Sequence, residues 1–280
     1  MNIWQADFYY LPDRAKQAPL WELVVCEYFN SNKENIPYKV YSVQCEQDRA
    51  NTQWLVEQIK QIAGDKLPDK IQVFRPQTLG LITTAAEKLG IKVEATRNTP
   101  IIKKVLTQRY KEKYPNYNPT KLERPVPQPL PEQLWGDRWQ IANIKAGQIV
   151  DLFCDRPIPI CRLPKAFFPI NLGIASDILI PGLVVYGGRK SMQIAIWIEE
   201  QNPAYLNYIP TEIGRSGGFI LETGLVDRWV FNTFESEQTA EIARNYEQKK
   251  QAAKGLHFIL IQPDDSGMTY TAFWLLKQDS

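Results

Sequence analysis

The sequence predicts a two-domain protein: an α/β domain with a mixed sheet over residues 1–114, and an α+β domain with an antiparallel sheet over 132–280. Three observations carry this. In the first half, strand-like and helix-like periodicities follow one another as β-β-β-α-β-α-β-α, the pattern of a sheet with helices packed on it. Pro115, Pro119, Pro125, Pro127, Pro129 and Pro131 crowd one stretch that cannot be helical and favours an extended spacer, so 115–131 reads as a proline-rich linker. The second half is dominated by strand-like runs and closes in a hairpin.

The elements follow in order. Aromatic and branched runs at 3–10, 20–27 and 38–45 read as three strands, joined by polar loops, the first around Pro12, Asp13 and Arg14. Then Trp54, Leu55, Ile59 and Ile62 recur at helical spacing and stop at Gly64. Residues 70–75 read as a short strand, 78–89 as a helix closed by Gly90, and 91–95 as the last strand. A helix from about 100 ends before Pro115. Beyond the linker, 139–144, 148–153, 178–186, 192–199, 218–223 and 228–234 are strand-like, with Gly187-Gly188-Arg189-Lys190 as a hairpin turn. A helix over 236–254 carries Glu235 and Glu237 near its start and Lys249, Lys250 and Lys254 near its end, matching the helix dipole. The run 256–261 is apolar at nearly every position and predicts a central strand covered on both faces. After the turn formers at 263–267, Tyr270, Ala272, Trp274 and Leu276 share one strand face, and Thr271, Phe273 and Leu275 the other. Such a strand belongs to the core, so truncation there is expected to unfold the domain.

Composition narrows the function classes. A chain 44% hydrophobic and 23% charged has the make-up of a folded globular protein, and a net charge of +2 gives no global attraction to nucleic acid or membrane. Cys26, Cys45, Cys154 and Cys161 form no C-x-x-C pair, and one histidine cannot complete a Cys/His zinc site. No metal and no cofactor are expected, and the cysteines read as free thiols in a reducing compartment. No apolar run approaches the roughly 20 residues of a membrane span, and the chain starts without the pattern of a signal peptide. A soluble, cytoplasmic protein is expected.

Local charge is more telling. Arg97, Lys103, Lys104, Arg109, Lys111, Lys113, Lys121 and Arg124 face only Glu112 and Glu123 in their stretch, with Tyr110, Tyr114 and Tyr117 interleaved. Cations that track phosphates, beside aromatic faces on which bases stack, are what single-stranded RNA binding requires. Lys103, Lys104, Arg109, Tyr110, Lys111 and Lys113 are therefore candidate contacts, against the plainer reading of a solvated helix face.

Catalytic patterns are weaker. Gly214-Arg-Ser-Gly-Gly218 has the letters of a nucleophile elbow, but a strand follows it where a helix is needed. Residues 182–191 resemble a phosphate loop, but Gly188 stands where lysine belongs and the context reads as strand to strand. Asp7 and Glu22 lie on neighbouring strands, as metal-binding acids do in PD-(D/E)-x-K nucleases. Val24 replaces the lysine of that pattern, so the alternatives are a degenerate restriction-endonuclease-like first domain and, as the favoured reading of the two acids, salt-bridged structural carboxylates. His257, inside an apolar strand, reads as a hydrogen-bonded core histidine. No catalytic residue is assigned.

Six segments, in order, carry a resemblance: Trp4-Gln-Ala-Asp-Phe8, Leu20-Trp-Glu-Leu-Val-Val-Cys-Glu27, Pro129-Leu-Pro-Glu-Gln-Leu-Trp-Gly-Asp-Arg-Trp139, Gly224-Leu-Val-Asp-Arg-Trp229, Lys254-Gly-Leu-His-Phe258 and Phe273-Trp-Leu-Leu276. Together they resemble the Tab-two/Atab-two family of RNA-binding proteins of chloroplasts and cyanobacteria. The resemblance implies a non-enzymatic RNA-binding factor that supports translation or assembly of photosystem reaction-centre subunits, mainly of photosystem I. Its implied partners are single-stranded RNA, as an mRNA leader, and translation or photosystem assembly proteins. It also implies that a Trp-Leu-Leu signature tied to RNA binding falls on Trp274, Leu275 and Leu276. The transit peptide of plant members is missing from this sequence, which implies a bacterial cytoplasm. The rival readings are a metal-dependent nuclease on the N-terminal domain and a protein-binding assembly factor without direct RNA recognition.

Overall fold

The computed structural model describes residues 1–11, 20–29, 38–113 and 118–278, in two units, Met1–Glu123 and Arg124–Ser280. In the first unit β1 (Asn2–Tyr10), β2 (Leu20–Phe29) and β3 (Tyr38–Glu46) form an antiparallel meander. β4 (Lys70–Val73) then pairs parallel to β1, and β5 (Lys92–Ala95) parallel to β4. The order β3-β2-β1-β4-β5 is the expected mixed sheet. Parallel neighbours need crossovers, supplied by α1 (Thr52–Ala63) and α2 (Pro76–Glu87). The Asn51 side chain caps the start of α1 by accepting from the Trp54 N–H, and Gly64, at φ 59, ends it.

Alternation along β1 and β2 makes three layers. Trp4, Ala6, Phe8, Leu23 and Val25 pack with Trp54, Leu55 and Ile59 of α1 and Ile82, Ala85 and Ala86 of α2. On the opposite face Tyr9, Val24 and Cys26 pack with Ile102, Val105, Leu106 and Tyr110 of α3 (Pro100–Lys113). β1 is consequently buried on both faces from Asn2 to Tyr9.

The second unit corrects the expectation of an antiparallel sheet. It contains β6 (Gln128–Pro129), β7 (Arg138–Lys145), α4 (Ile149–Phe153), β8 (Ile160–Arg162), β9 (Leu179–Tyr186) and α5 (Ser191–Glu200). They are followed by β10 (Pro203–Glu212), β11 (Ser216–Thr223), β12 (Asp227–Glu235), α6 (Glu237–Ala252), β13 (Leu256–Gln262) and β14 (Ala272–Lys277). One sheet runs β10-β11-β12-β6 and the other β7-β9-β13-β14-β8. Both are mixed, because β6 joins β12, β9 joins β13 and β8 joins β14 in parallel. Residues 192–199 and 148–153, expected as strands, lie in helices, so 187–190 leads from β9 into α5 and is no hairpin turn. That also corrects the strand-to-strand context of 182–191. A phosphate loop is still absent there: Gly182 lies inside β9, where a Cβ would come within 2.4 Å of the Phe258 ring.

The C-terminal hairpin is as expected. β13 and β14 pair antiparallel with Ile259 opposite Trp274 and Phe258 opposite Leu275, and β13 is buried throughout. Ala272, Trp274 and Leu276 join the cluster that includes Leu206, Phe219 and Leu221 of the other sheet. Phe273 and Leu275 point to the opposite face, among Ile149, Phe153 and Phe258.

Candidate nucleic-acid interface

Pro100 opens α3 where no backbone N–H is needed, and the Gln5 side chain accepts from the Ile102 N–H at 3.0 Å, so the sheet itself caps the helix start. The apolar positions 102, 105, 106 and 110 face the sheet, which turns Lys104, Thr107, Gln108 and Lys111 to solvent. The expected cations therefore divide. Lys104 and Lys111 are exposed. Lys103 is partly buried, with Nζ donating to the Arg97 carbonyl and lying 5.5 Å from the Phe74 ring centre. Arg109 Nη1 is 3.4 Å from Glu22 Oε1. Tyr110 is buried edge-on to Tyr9, at 6.0 Å between centroids, so its ring offers no stacking face to a base. Tyr114, Tyr117 and the Lys113 side chain lie outside the described residues.

Beneath α3 the two acids of the nuclease reading are each engaged. Asp7 is fully buried, and Arg75 grips it with Nε to Oδ1 at 2.8 Å and Nη2 to Oδ2 at 2.9 Å. Arg75 Nη2 also donates to the Pro119 carbonyl at 2.7 Å. Burial raises the Asp7 carboxyl above its ordinary value, and the two Arg75 hydrogen bonds pull against that. Glu22 accepts from Tyr9 Oη and Ser42 Oγ. Burial, and then Glu22 itself, raise the Tyr9 phenol, which stays a donor. A bidentate Arg–carboxylate pair occupies both oxygens that a cation would need. Among the described residues no three His, Cys, Asp or Glu side chains come together as a metal site.

The C-terminal tryptophan is inside. Trp274 is 1% exposed, and its indole N–H donates to Glu199 Oε2 at 2.9 Å. Partial burial works to raise Glu199, but hydrogen bonds from Arg162 and Trp274 hold it below the usual carboxylate range. Leu275 and Leu276 are buried as well. His257 is a core residue, as expected: Nε2 accepts from the Leu206 N–H at 2.9 Å, and Nδ1 donates to the Gly255 carbonyl at 2.8 Å. Burial, with the nearby Lys250 charge, pushes its pKa down to about 3. Lys250, itself buried on α6, donates to the Leu206 carbonyl at 2.8 Å and to Glu247 Oε1 at 2.7 Å, and Glu247 accepts from the Tyr208 N–H at 3.0 Å.

Two family models match the chain: "RNA-binding protein Tab2/Atab2 N terminal" over residues 3–109 and "RNA-binding protein Tab2/Atab2, C-terminal domain" over 117–277. The chain belongs to the Tab2/Atab2 family of RNA-binding proteins. "Protein TAB2 homolog, chloroplastic" of Arabidopsis thaliana is 30% identical over 295 residues, covering 98% of this chain and 74% of the relative. The Zea mays protein of the same name is 26% identical over 298 residues, covering 98% and 70%.

In this Tab2/Atab2 chain the six resembling segments fall on or beside strands of both units. Among the described residues no helix is long and apolar enough to cross a membrane. Three polar residues that organise the interior were not singled out from sequence: Arg75, Glu199 and Gln5. Gln5 and Arg75 each stand beside apolar neighbours and Glu199 beside a second glutamate, Glu200, so only the pairing across strands or helices marks them out. Lys250 drew attention only as a charge near a helix end, a position that does not distinguish a buried lysine from a solvated one.

Proposed function

We propose that this chain is an RNA-binding factor that supports translation or assembly of photosystem reaction-centre subunits, photosystem I in particular, in a bacterial cytoplasm. The observation that carries this reading is family membership across both units. The proposed RNA surface is the solvent face of α3, where Lys104 and Lys111 contact phosphates and Arg109 flanks them. Lys113 belongs to the same proposed contact set, and Lys103 contributes less because its ammonium is already held by a carbonyl. Trp274, Leu275 and Leu276 serve RNA binding through the fold they stabilise, since the three side chains are buried.

The nuclease rival, and with it the restriction-endonuclease likeness, is disfavoured by the Arg75 grip on Asp7. Crosslinking and sequencing of RNA bound to the full chain in cells tests the proposal. Enrichment of leaders of photosystem subunit mRNAs is expected. A crosslinked pool that mirrors total RNA would reject it. Incubation of the pure chain with labelled RNA and Mg²⁺ or Mn²⁺ should leave the RNA intact.

A further inference from the structure

The second unit contains a cavity of about 360 Å³ lined by the stretch around Trp135 and Trp139 and by β12 from Val230 to Thr233. That size is within the roughly 300–1,000 Å³ usual for ligand sites. The tryptophans belong to 129–139, one of the six segments that carry the resemblance and one that the α3 surface leaves unexplained.

Three features of this cavity point to the same occupant. Trp135 is 56% exposed, yet its indole N–H is tied to the Leu130 carbonyl at 3.0 Å, so the ring is held in place while much of it stays open. Trp139 is half-buried against Phe219 and Phe234. Between them, a Cβ on Gly136 would come within 2.6 Å of Val185 Cγ1 and 2.9 Å of the Tyr186 carbonyl, so this stretch is pressed against β9. The second feature is Asn232, whose amide nitrogen and oxygen are both buried without a hydrogen-bond partner among the described residues. A buried donor and acceptor left together in this way call for a partner that offers the complementary pair. The third is a bulge in β12. Phe219 faces Asn232 but Ile220 faces Val230, so Phe231 is an extra residue. Bulges of this kind re-aim side chains beside functional sites.

A flat ring with a π-face and an edge carrying adjacent donor and acceptor fits all three. An aliphatic ligand would leave the amide unanswered. A phosphate would need free cations, whereas Arg138 is paired with Asp265 and stacked over Tyr186 at 4.3 Å. We infer that this cavity takes one unpaired nucleobase of a bound RNA strand, stacked on an indole face and read by the Asn232 amide, which turns out of its buried position into the cavity because no hydrogen bond within the described residues holds it there. The inference rests on the RNA-binding reading above and gives it a base-selective site, which phosphate contacts on α3 cannot supply.

The test uses the full chain and eight-nucleotide RNA strands that are abasic except for a single A, C, G or U at the centre. Affinity is followed by anisotropy and by tryptophan emission. One base should bind at least roughly ten-fold tighter than the weakest of the other three, with quenched emission. Asn232→Ala should abolish that preference while all four strands still bind. Trp135→Ala should bring all four to the abasic level. Thermal melts check that both variants are folded, and Trp135, being half exposed, is the safer of the two. Base-bearing strands that bind no tighter than a fully abasic one, or a preference that survives Asn232→Ala, would overturn the inference and leave RNA binding standing. If no strand binds, the four nucleoside monophosphates decide the matter. Asn232-dependent quenching by one of them would keep the cavity and reject the RNA reading, and no quenching would reject both.

Discussion

His257 shows what burial does to a charge. Its imidazole stays neutral in the fold down to about pH 3, whereas an unconstrained one titrates near 6.5. Below 6.5 the unfolded chain binds a proton that the fold refuses. Stability should therefore fall by up to about 1.4 kcal/mol per pH unit from 6.5 towards 3, with no contribution from this group above 6.5. Urea unfolding of the parent and His257→Gln across that range should show a shallower acid slope in the variant; parallel slopes would refute the assignment. At Trp274 the sequence left stacking surface and core open, because alternation says which side chains share a face and not what covers that face. With 1% exposure the answer is core, so Trp274→Ala should cost about 3–5 kcal/mol of folding stability. RNA binding should then fail only in step with unfolding. A folded Trp274→Ala protein that melts normally and has lost RNA would return the ring to the interface.

At the scale of elements, α3 makes a quantitative demand. Each phosphate contact contributes about −0.7 to the log–log salt slope on single strands. Lys104→Ala/Lys111→Ala should therefore flatten the slope by roughly 1.4, equally for all sequences, with the melting temperature unchanged. An unaltered slope would make this an ordinary solvated face. The elements of the first unit were legible because their signals agree: the α1 cap residues Asn51 and Gly64 bracket a helical period, and its strands alternate. In the second unit two signals conflict with packing. Ile194, Ile196 and Ile198 alternate like a strand, yet Ile194, Ala195 and Ile198 are the buried set, one face of α5, while Ile196 is exposed. β10 has no counterpart among the strand-like runs: Pro203 and Pro210 interrupt its sequence pattern, although an edge strand tolerates proline where no ladder hydrogen bond is needed. The cavity at β12 was invisible for a related reason, since a bulge leaves no mark on composition.

For the whole molecule, the point where the chain can be cut is a sharp test. Fragments 1–123 and 124–280 should each melt cooperatively, since each keeps its own clusters. A fragment beginning at 132 should be weaker than one beginning at 124. It lacks the buried Leu130 and the β6 pairing with β12, both of which come from the proline-rich stretch. Equal melting temperatures for these two fragments would show that 124–131 adds nothing to the second unit. The parallel pairing of β9 with β13 was not readable from sequence because it hinges on α5. Read as a strand, 192–199 makes a hairpin with β9; as a helix, it begins the long crossover after which β13 returns parallel to β9. β10 lies at the rim of its sheet, where a bare strand edge would be a template for another copy of the chain. On that rim the backbone of Leu206 is already taken by His257 and Lys250, and the Tyr208 N–H by Glu247. His257, Lys250 and Glu247 thus occupy the backbone groups through which another copy would pair. In His257→Leu/Lys250→Met, light scattering should record a mass that climbs with concentration more steeply than the parent's, through strands joined at β10.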